Sequence, residues 1–112
     1  MTSDFLRGHL ENLLLAVLTD EPGHGYALLQ RISARSGGDL VVPEGSLYPA
    51  LQRLERAGLV SSTWAEVAGR RRRVYRLSSA GQRRVRAAAG EWRSFAAAVD
   101  RVMGGAETRG TV

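Results

Sequence analysis

Residues 59–77 read LVSSTWAEVAGRRRRVYRL. Two β-prone runs, Leu59 to Val67 and Arg72 to Leu77, flank Ala68-Gly69-Arg70-Arg71. A glycine between two such runs predicts a hairpin. Four consecutive arginines therefore fall at the hairpin tip and at the start of its return strand, pinned on both sides by Trp64 and Tyr75. A disordered basic arm would lack those aromatic anchors. Trp64 is expected to be a core residue between the strands.

Upstream, Gly45 to Ala57 predicts a helix with Leu47, Ala50, Leu51 and Leu54 inward, closed by Gly58 with Leu59 as the apolar residue beyond. Its opposite face carries Ser46, Pro49, Gln52, Arg53 and Arg56, with Tyr48 at the flank. Leu40-Val41-Val42 is β-prone and is stopped by Pro43. A helix from about Gly25 to Arg35 draws its apolar positions from Tyr26, Leu28, Leu29 and Ile32, and Gly37-Gly38 end it. The first helix, about Asp4 to Thr19, has two stripes: Leu6, Leu10, Leu13, Leu14 and Val17 as a core face, and Phe5, His9, Asn12 and Ala16 as a second. Asp20-Glu21-Pro22-Gly23 breaks it.

Downstream, Ser79-Ala80-Gly81-Gln82 matches a capping box. Val85, Ala88, Trp92, Phe95, Val99 and Val102 then recur at steps of three and four, the seam of a helix that packs on another chain. These boundaries divide the chain into residues 1–78, an association helix over 79–103, and a disordered tail over 104–112.

A chain of 112 residues supports one core. It contains no cysteine, which excludes disulfides and thiolate metal sites and fits a cytoplasmic setting. No run is long enough to span a bilayer, and the start lacks a signal-peptide layout. The net charge is +5, and all sixteen basic residues are arginine, as a compositional bias would also produce. Their placement is more informative: Arg70, Arg71, Arg72, Arg73, Arg76, Arg83, Arg84 and Arg86 lie within residues 70–86, where no Asp or Glu occurs. Such focused charge suits a polyanion. His9 and His24 lack metal-site spacing, and no Ser/His/Asp set, phosphate-cradling glycine loop or paired carboxylates suggest catalysis. No metal, cofactor or enzymatic activity is expected.

The expected fold is mainly α with a small β-hairpin wing: a winged helix-turn-helix plus a long C-terminal dimerisation helix. The segments LRGHLENLLLAVL, HGYALLQRI, GSLYPALQRLERAGLV and GRRRRVYRLSSAG resemble the PadR family of bacterial transcriptional regulators. The resemblance covers about Phe5 to Met103 and is similar to the compact branch with a single C-terminal helix. Its run of four arginines departs from the less basic wing common in the family.

The resemblance implies a cytoplasmic homodimer on a pseudo-palindromic double-stranded DNA operator, acting as a repressor, with the final helix crossing the partner's first helix. The third helix would enter the major groove and the wing would straddle the backbone. Ser46 and Tyr48 suit phosphate or base contacts, Gln52 and Arg53 suit adenine and guanine edges, and two or three of Arg70, Arg71, Arg72 and Arg73 would reach phosphate. Arg56 is read instead as an ion-pair partner of Glu55 or a helix C-terminal charge. Trp92 falls where one branch carries the tryptophan that sandwiches planar drugs; Phe5, His9, Asn12, Ala88 and Phe95 would line the same space. Trp92 is equally well read as a plain dimer anchor. Two further readings stand beside the effector-controlled repressor: a DNA-binding regulator without a small-molecule effector, and a winged helix that binds proteins.

Overall fold

A computed structural model describes residues 6 and 8–110, the side chains of 106–110 excepted. Seven elements follow one another: α1 (Leu10–Leu18), β1 (Gly23–His24), α2 (Gly25–Arg35), α3 (Glu44–Arg56), β2 (Val60–Val67), β3 (Arg70–Leu77) and α4 (Ser79–Gly110). The three strands form an antiparallel sheet in the order β1-β3-β2. This is the winged helix-turn-helix expected, with one rearrangement. Leu40-Val41-Val42 forms no strand; the sheet's third member is Gly23–His24, paired with Tyr75 and Val74. Val42 is drawn into the core while Val41 stays 63% exposed, so apolar content there reflects packing rather than a ladder.

The core is built on leucine. Leu14, Leu15, Leu28, Leu47 and Leu51 are fully buried, joined by Ile32, Ala50, Leu54, Val60 and Tyr75. All four inward positions expected on α3 are buried. On α1, Leu15 and Leu18 are buried in addition to Leu14 and Val17, because this helix packs against α2, α3, α4 and β3 and is covered on more than one side; Leu6, also buried, precedes α1, which starts at Leu10 after a turn at Gly8-His9 rather than at Asp4 as expected. Tyr26 is a correction: it is 51% exposed, leaving Leu28 and Ile32 as the inward face of α2. Phe5 lies outside the described residues.

Helix ends follow glycine. After α2, the Gly38 N–H donates to the Ser33 carbonyl and the Gly37 N–H to Ala34. After α3, Leu59 donates to Leu54 and Gly58 to Glu55, both at 3.0 Å. Gly37 and Gly58 have φ of +65° and +74°, the left-handed conformation this closure requires. Arg31 stitches the α1–β1 turn, its guanidinium donating to the carbonyls of Val17, Glu21 and Pro22.

The start of α4 corrects the capping box. The cap is Ser78, whose hydroxyl accepts from the Gly81 N–H at 3.0 Å and donates to the Gly58 carbonyl at 2.6 Å, so Gln82 stands one position too late for the reciprocal bond. From there α4 runs to Gly110, past the expected boundary at Met103. It extends the molecule to 60 × 26 × 21 Å, with a radius of gyration of 16.5 Å against about 13 Å for a compact chain of this length.

Gly81 sits where α4 crosses the end of α3. A Cβ there would overlap the Leu59 carbonyl oxygen and lie 2.9 Å from Leu77 Cδ2. Gly90, farther along the same helix, has open space around it. Gly81→Ala should therefore lower stability by about 2–4 kcal/mol through overpacking against backbone. Gly90→Ala should raise it by about 0.5–1 kcal/mol through helix propensity. Urea denaturation at fixed protein concentration checks both.

Candidate nucleic-acid interface

The wing is a two-residue hairpin. Ala68 and Gly69 both have positive φ, +51° and +77°, the turn whose twist matches that of the flanking strands. The ladder runs the full length, Val60 opposite Leu77 through Val67 opposite Arg70. All four arginines thus belong to β3, and none is in the loop. Alternation along β3 divides them: Arg71 and Arg73 share a face with the buried Tyr75, while Arg70 and Arg72 point to the other.

Arg73 is tethered. Its Nε donates to Ser62 Oγ at 2.7 Å, its guanidinium lies 3.8 Å from the Glu55 carboxylate, and Ser62 Oγ donates to that carboxylate at 2.8 Å. The pairing joins the wing to the last turn of α3. Glu55 is therefore committed to Arg73 rather than to Arg56, whose Nε instead approaches the Gln52 carbonyl at 3.5 Å. Among the described residues Arg70, Arg71 and Arg72 form no ion pair, although Glu66 stands opposite Arg71 in the ladder.

Trp64 corrects the sequence reading. It is 56% exposed, on the wing surface rather than in the core, with Arg71 and Arg73 guanidinium carbons 5.4 and 5.5 Å from its ring centroid. Strand alternation places it on the same face as the buried Val60, but the face leaves the core as the hairpin extends outward.

On α3, Ser46, Tyr48 and Gln52 are exposed. Pro49 sits inside the helix, where it cannot donate to the Gly45 carbonyl; the flanking buried Leu47, Ala50 and Leu51 hold the helix despite that missing bond. Tyr48 and Gln52 face Trp64 and Arg71 across a cleft of about 580 Å³ that also reaches His24, Glu55, Arg72, Arg73 and Tyr75. Tyr26, Glu44, Arg70 and Arg72 border a smaller hollow of about 330 Å³ on the other side of Tyr48. Gly25 permits the close approach of α2 to α3: a Cβ there would lie 2.9 Å from Leu47 Cδ2 and 3.1 Å from Tyr48 Oη. Arg53 stands apart from the cleft, its Nε donating to Glu11 Oε1 on α1 at 2.7 Å.

The second predicted cluster is partly assembled within one chain. His9 meets Trp92 edge-on at 5.5 Å and Trp92 lies 6.0 Å from Phe95, so α4 touches its own α1. Asn12 is exposed on α1 and Ala88 half-buried on α4. Trp92, Phe95, Val99, Val102 and Met103 are 38–73% exposed, an apolar stripe along a projecting helix.

Fold and surface together define a winged helix-turn-helix regulator. Residues 14–87 match the model of the Transcriptional regulator PadR-like family, and the chain belongs to that family, a family of regulators rather than enzymes. It is 42% identical over 79 residues to a transcriptional regulator of Mycobacterium tuberculosis, covering 70% of this chain and 71% of that one. It is 31% identical over 106 residues to an uncharacterised protein of Lysinibacillus sphaericus, covering 94% and 97%. Among solved structures, a transcriptional regulator of Clostridium thermocellum superposes with a TM-score of 0.80 at 27% identity over 90% of this chain and 96% of that one. A PadR family regulator of Eggerthella lenta gives 0.75 at 30% identity, covering 89% and 86%. Among the described residues no helix is long and apolar enough to cross a membrane.

The sequence reads His24 as a turn or first-turn residue, and the structure gives it a definite role there. It caps α2, its Nδ1 accepting from the Ala27 N–H at 3.4 Å, a role that requires an unprotonated nitrogen. Burial first, then Arg72 and Arg31, hold its pKa below the ordinary histidine value of about 6.5. Because the folded value is depressed, the unfolded chain takes up the proton first. Stability is thus full above about pH 6.5 and declines as the pH falls through and below that value. His24→Asn, which keeps a capping acceptor without a titrating ring, should flatten that decline in urea denaturation measured between about pH 5 and 7.5.

Proposed function

We propose that this chain is a dimeric, sequence-specific DNA-binding regulator of transcription, acting as a repressor in the cytoplasm, whose DNA affinity is modulated by a small hydrophobic or aromatic effector at the dimer interface. The observation that carries the DNA-binding reading is the exposed polar face of α3, with Ser46, Tyr48 and Gln52, set beside a wing strand of four arginines, of which only Arg73 has a carboxylate partner among the described residues. Gln52 faces base edges in the major groove. Arg70, Arg71 and Arg72 contact phosphate, while Arg73 holds the wing against α3. Glu11 engages the Arg53 Nε, which leaves the two terminal guanidinium nitrogens to reach a guanine edge.

Dimerisation is supported by the exposed stripe on α4. A second copy would cover Phe95, Val99, Val102 and Met103 and set the two recognition helices about 34 Å apart for a pseudo-palindromic operator. The His9–Trp92–Phe95 cluster supports the effector site, with Asn12 and Ala88 completing it across the two chains. A planar aromatic wedged there changes DNA occupancy only to the extent that it binds one dimer geometry better than the other.

Binding to the DNA upstream of its own coding sequence, titrated against salt beside a scrambled duplex, tests the reading. Wild type should prefer the first duplex, and Arg70→Ala and Arg72→Ala should each reduce the log–log salt slope by about 0.9 for every phosphate left without its arginine. Planar aromatics should quench tryptophan emission in wild type and in Trp64→Phe but not in Trp92→Phe. Quenching absent from all three would leave a DNA-binding regulator without an effector. Absence of binding to either duplex would favour a protein-binding winged helix.

A further inference from the structure

Trp64 breaks the pattern of its own strand face. Val60 and Tyr75, on the same side of the hairpin, are 3% and 4% exposed, yet the indole lies mostly in solvent where the wing diverges from α3. Single exposed hydrophobic residues are common. This one is distinguished by how it is held. Arg73, fixed by Ser62 and Glu55, lies over the ring from one position and Arg71 from another. Guanidinium groups within about 6 Å of an indole centroid are attracted to its ring, so the ring orientation is set before any ligand arrives. The carboxylate bordering the cleft, Glu55, is occupied by Arg73 and Ser62, whereas Arg71, with Glu66 opposite it in the ladder, forms no ion pair among the described residues.

An apolar plate next to such a cation matches one repeating feature of a DNA duplex, whose backbone alternates a C–H-rich sugar with an anionic phosphate. The stacked bases of a duplex offer no free ring face to an indole; a sugar does. We propose that Trp64 and Arg71 together seat one sugar–phosphate unit of the DNA backbone in the cleft between α3 and the wing. The indole packs on the deoxyribose and the Arg71 guanidinium pairs with the adjoining phosphate. The proposal rests on the DNA-binding reading and adds to it a contact that is apolar and independent of sequence.

The test uses a fluorescein-labelled duplex of mixed sequence, titrated by anisotropy at several salt concentrations. Trp64→Ala should weaken binding by roughly tenfold, the scale of truncating a buried interfacial aromatic, while leaving the salt slope unchanged because no counterion is released. Trp64→Phe should recover most of the affinity, and it keeps the test decisive if the alanine variant misfolds. Arg71→Ala should weaken binding and reduce the slope by about 0.9. In a Trp92→Phe background, Trp64 emission should shift to the blue when duplex saturates the protein.

Wild-type affinity in folded Trp64→Ala, or an unchanged emission, would overturn the contact. A reduced salt slope in Trp64→Ala would also overturn it, since the indole would then serve only to orient arginines. If the wild type binds no duplex at all, the DNA-binding reading itself falls, and this contact falls with it.

Discussion

Three elements meet at the Leu59 carbonyl. It accepts from the Ser78 N–H at 3.1 Å and leaves no room for a side chain on Gly81, while the Leu59 N–H closes the end of α3 on Leu54. Ser78 reinforces the junction by donating to the Gly58 carbonyl and capping α4. The end of α3, the root of the wing and the start of α4 are thereby locked at one point. The start of α4 is joined to the end of α3 and the root of the wing by hydrogen bonds to backbone carbonyls rather than through long side chains. This is the physical basis on which a change along α4 could alter how α3 is presented.

The second organising feature is the division of labour among the arginines. A run of four like charges is costly to hold together, since neighbours repel. The strand relieves that cost by sending alternate residues to opposite faces and by committing one of them to Glu55. Arg73 thereby acts as a strut between the wing and α3, and the remaining three form no ion pair among the described residues. The two guanidinium groups beside Trp64 set part of this charge against an apolar ring.

Much of this is legible in residue order. The span of α2, the inward positions of α3 and the hairpin follow from periodicity and glycine placement, because both signals act over a few residues. The errors share one cause. Size and apolar position predict Trp64 and Tyr26 inside, yet both are more than half exposed, because no other element covers them. Leu40-Val41-Val42 has strand composition without a neighbour to pair with, whereas Gly23–His24 has little strand propensity and pairs because β3 lies alongside it. Ser78 displaces Ser79 as the cap because its hydroxyl both reaches the Gly58 carbonyl and meets the Gly81 N–H.

The sequence by itself therefore determined the fold class, the helical core faces, the basic wing and the apolar stripe of α4, since composition and period dictate which surfaces must leave water and which charges must stay in it. Tertiary structure alone decided which arginines remain unpaired, where Trp64 and Tyr26 lie, how Arg53 is engaged by Glu11 and why the His24 pKa is lowered. Those outcomes depend on distances of a few ångströms between residues far apart in the chain, and no local pattern encodes such distances.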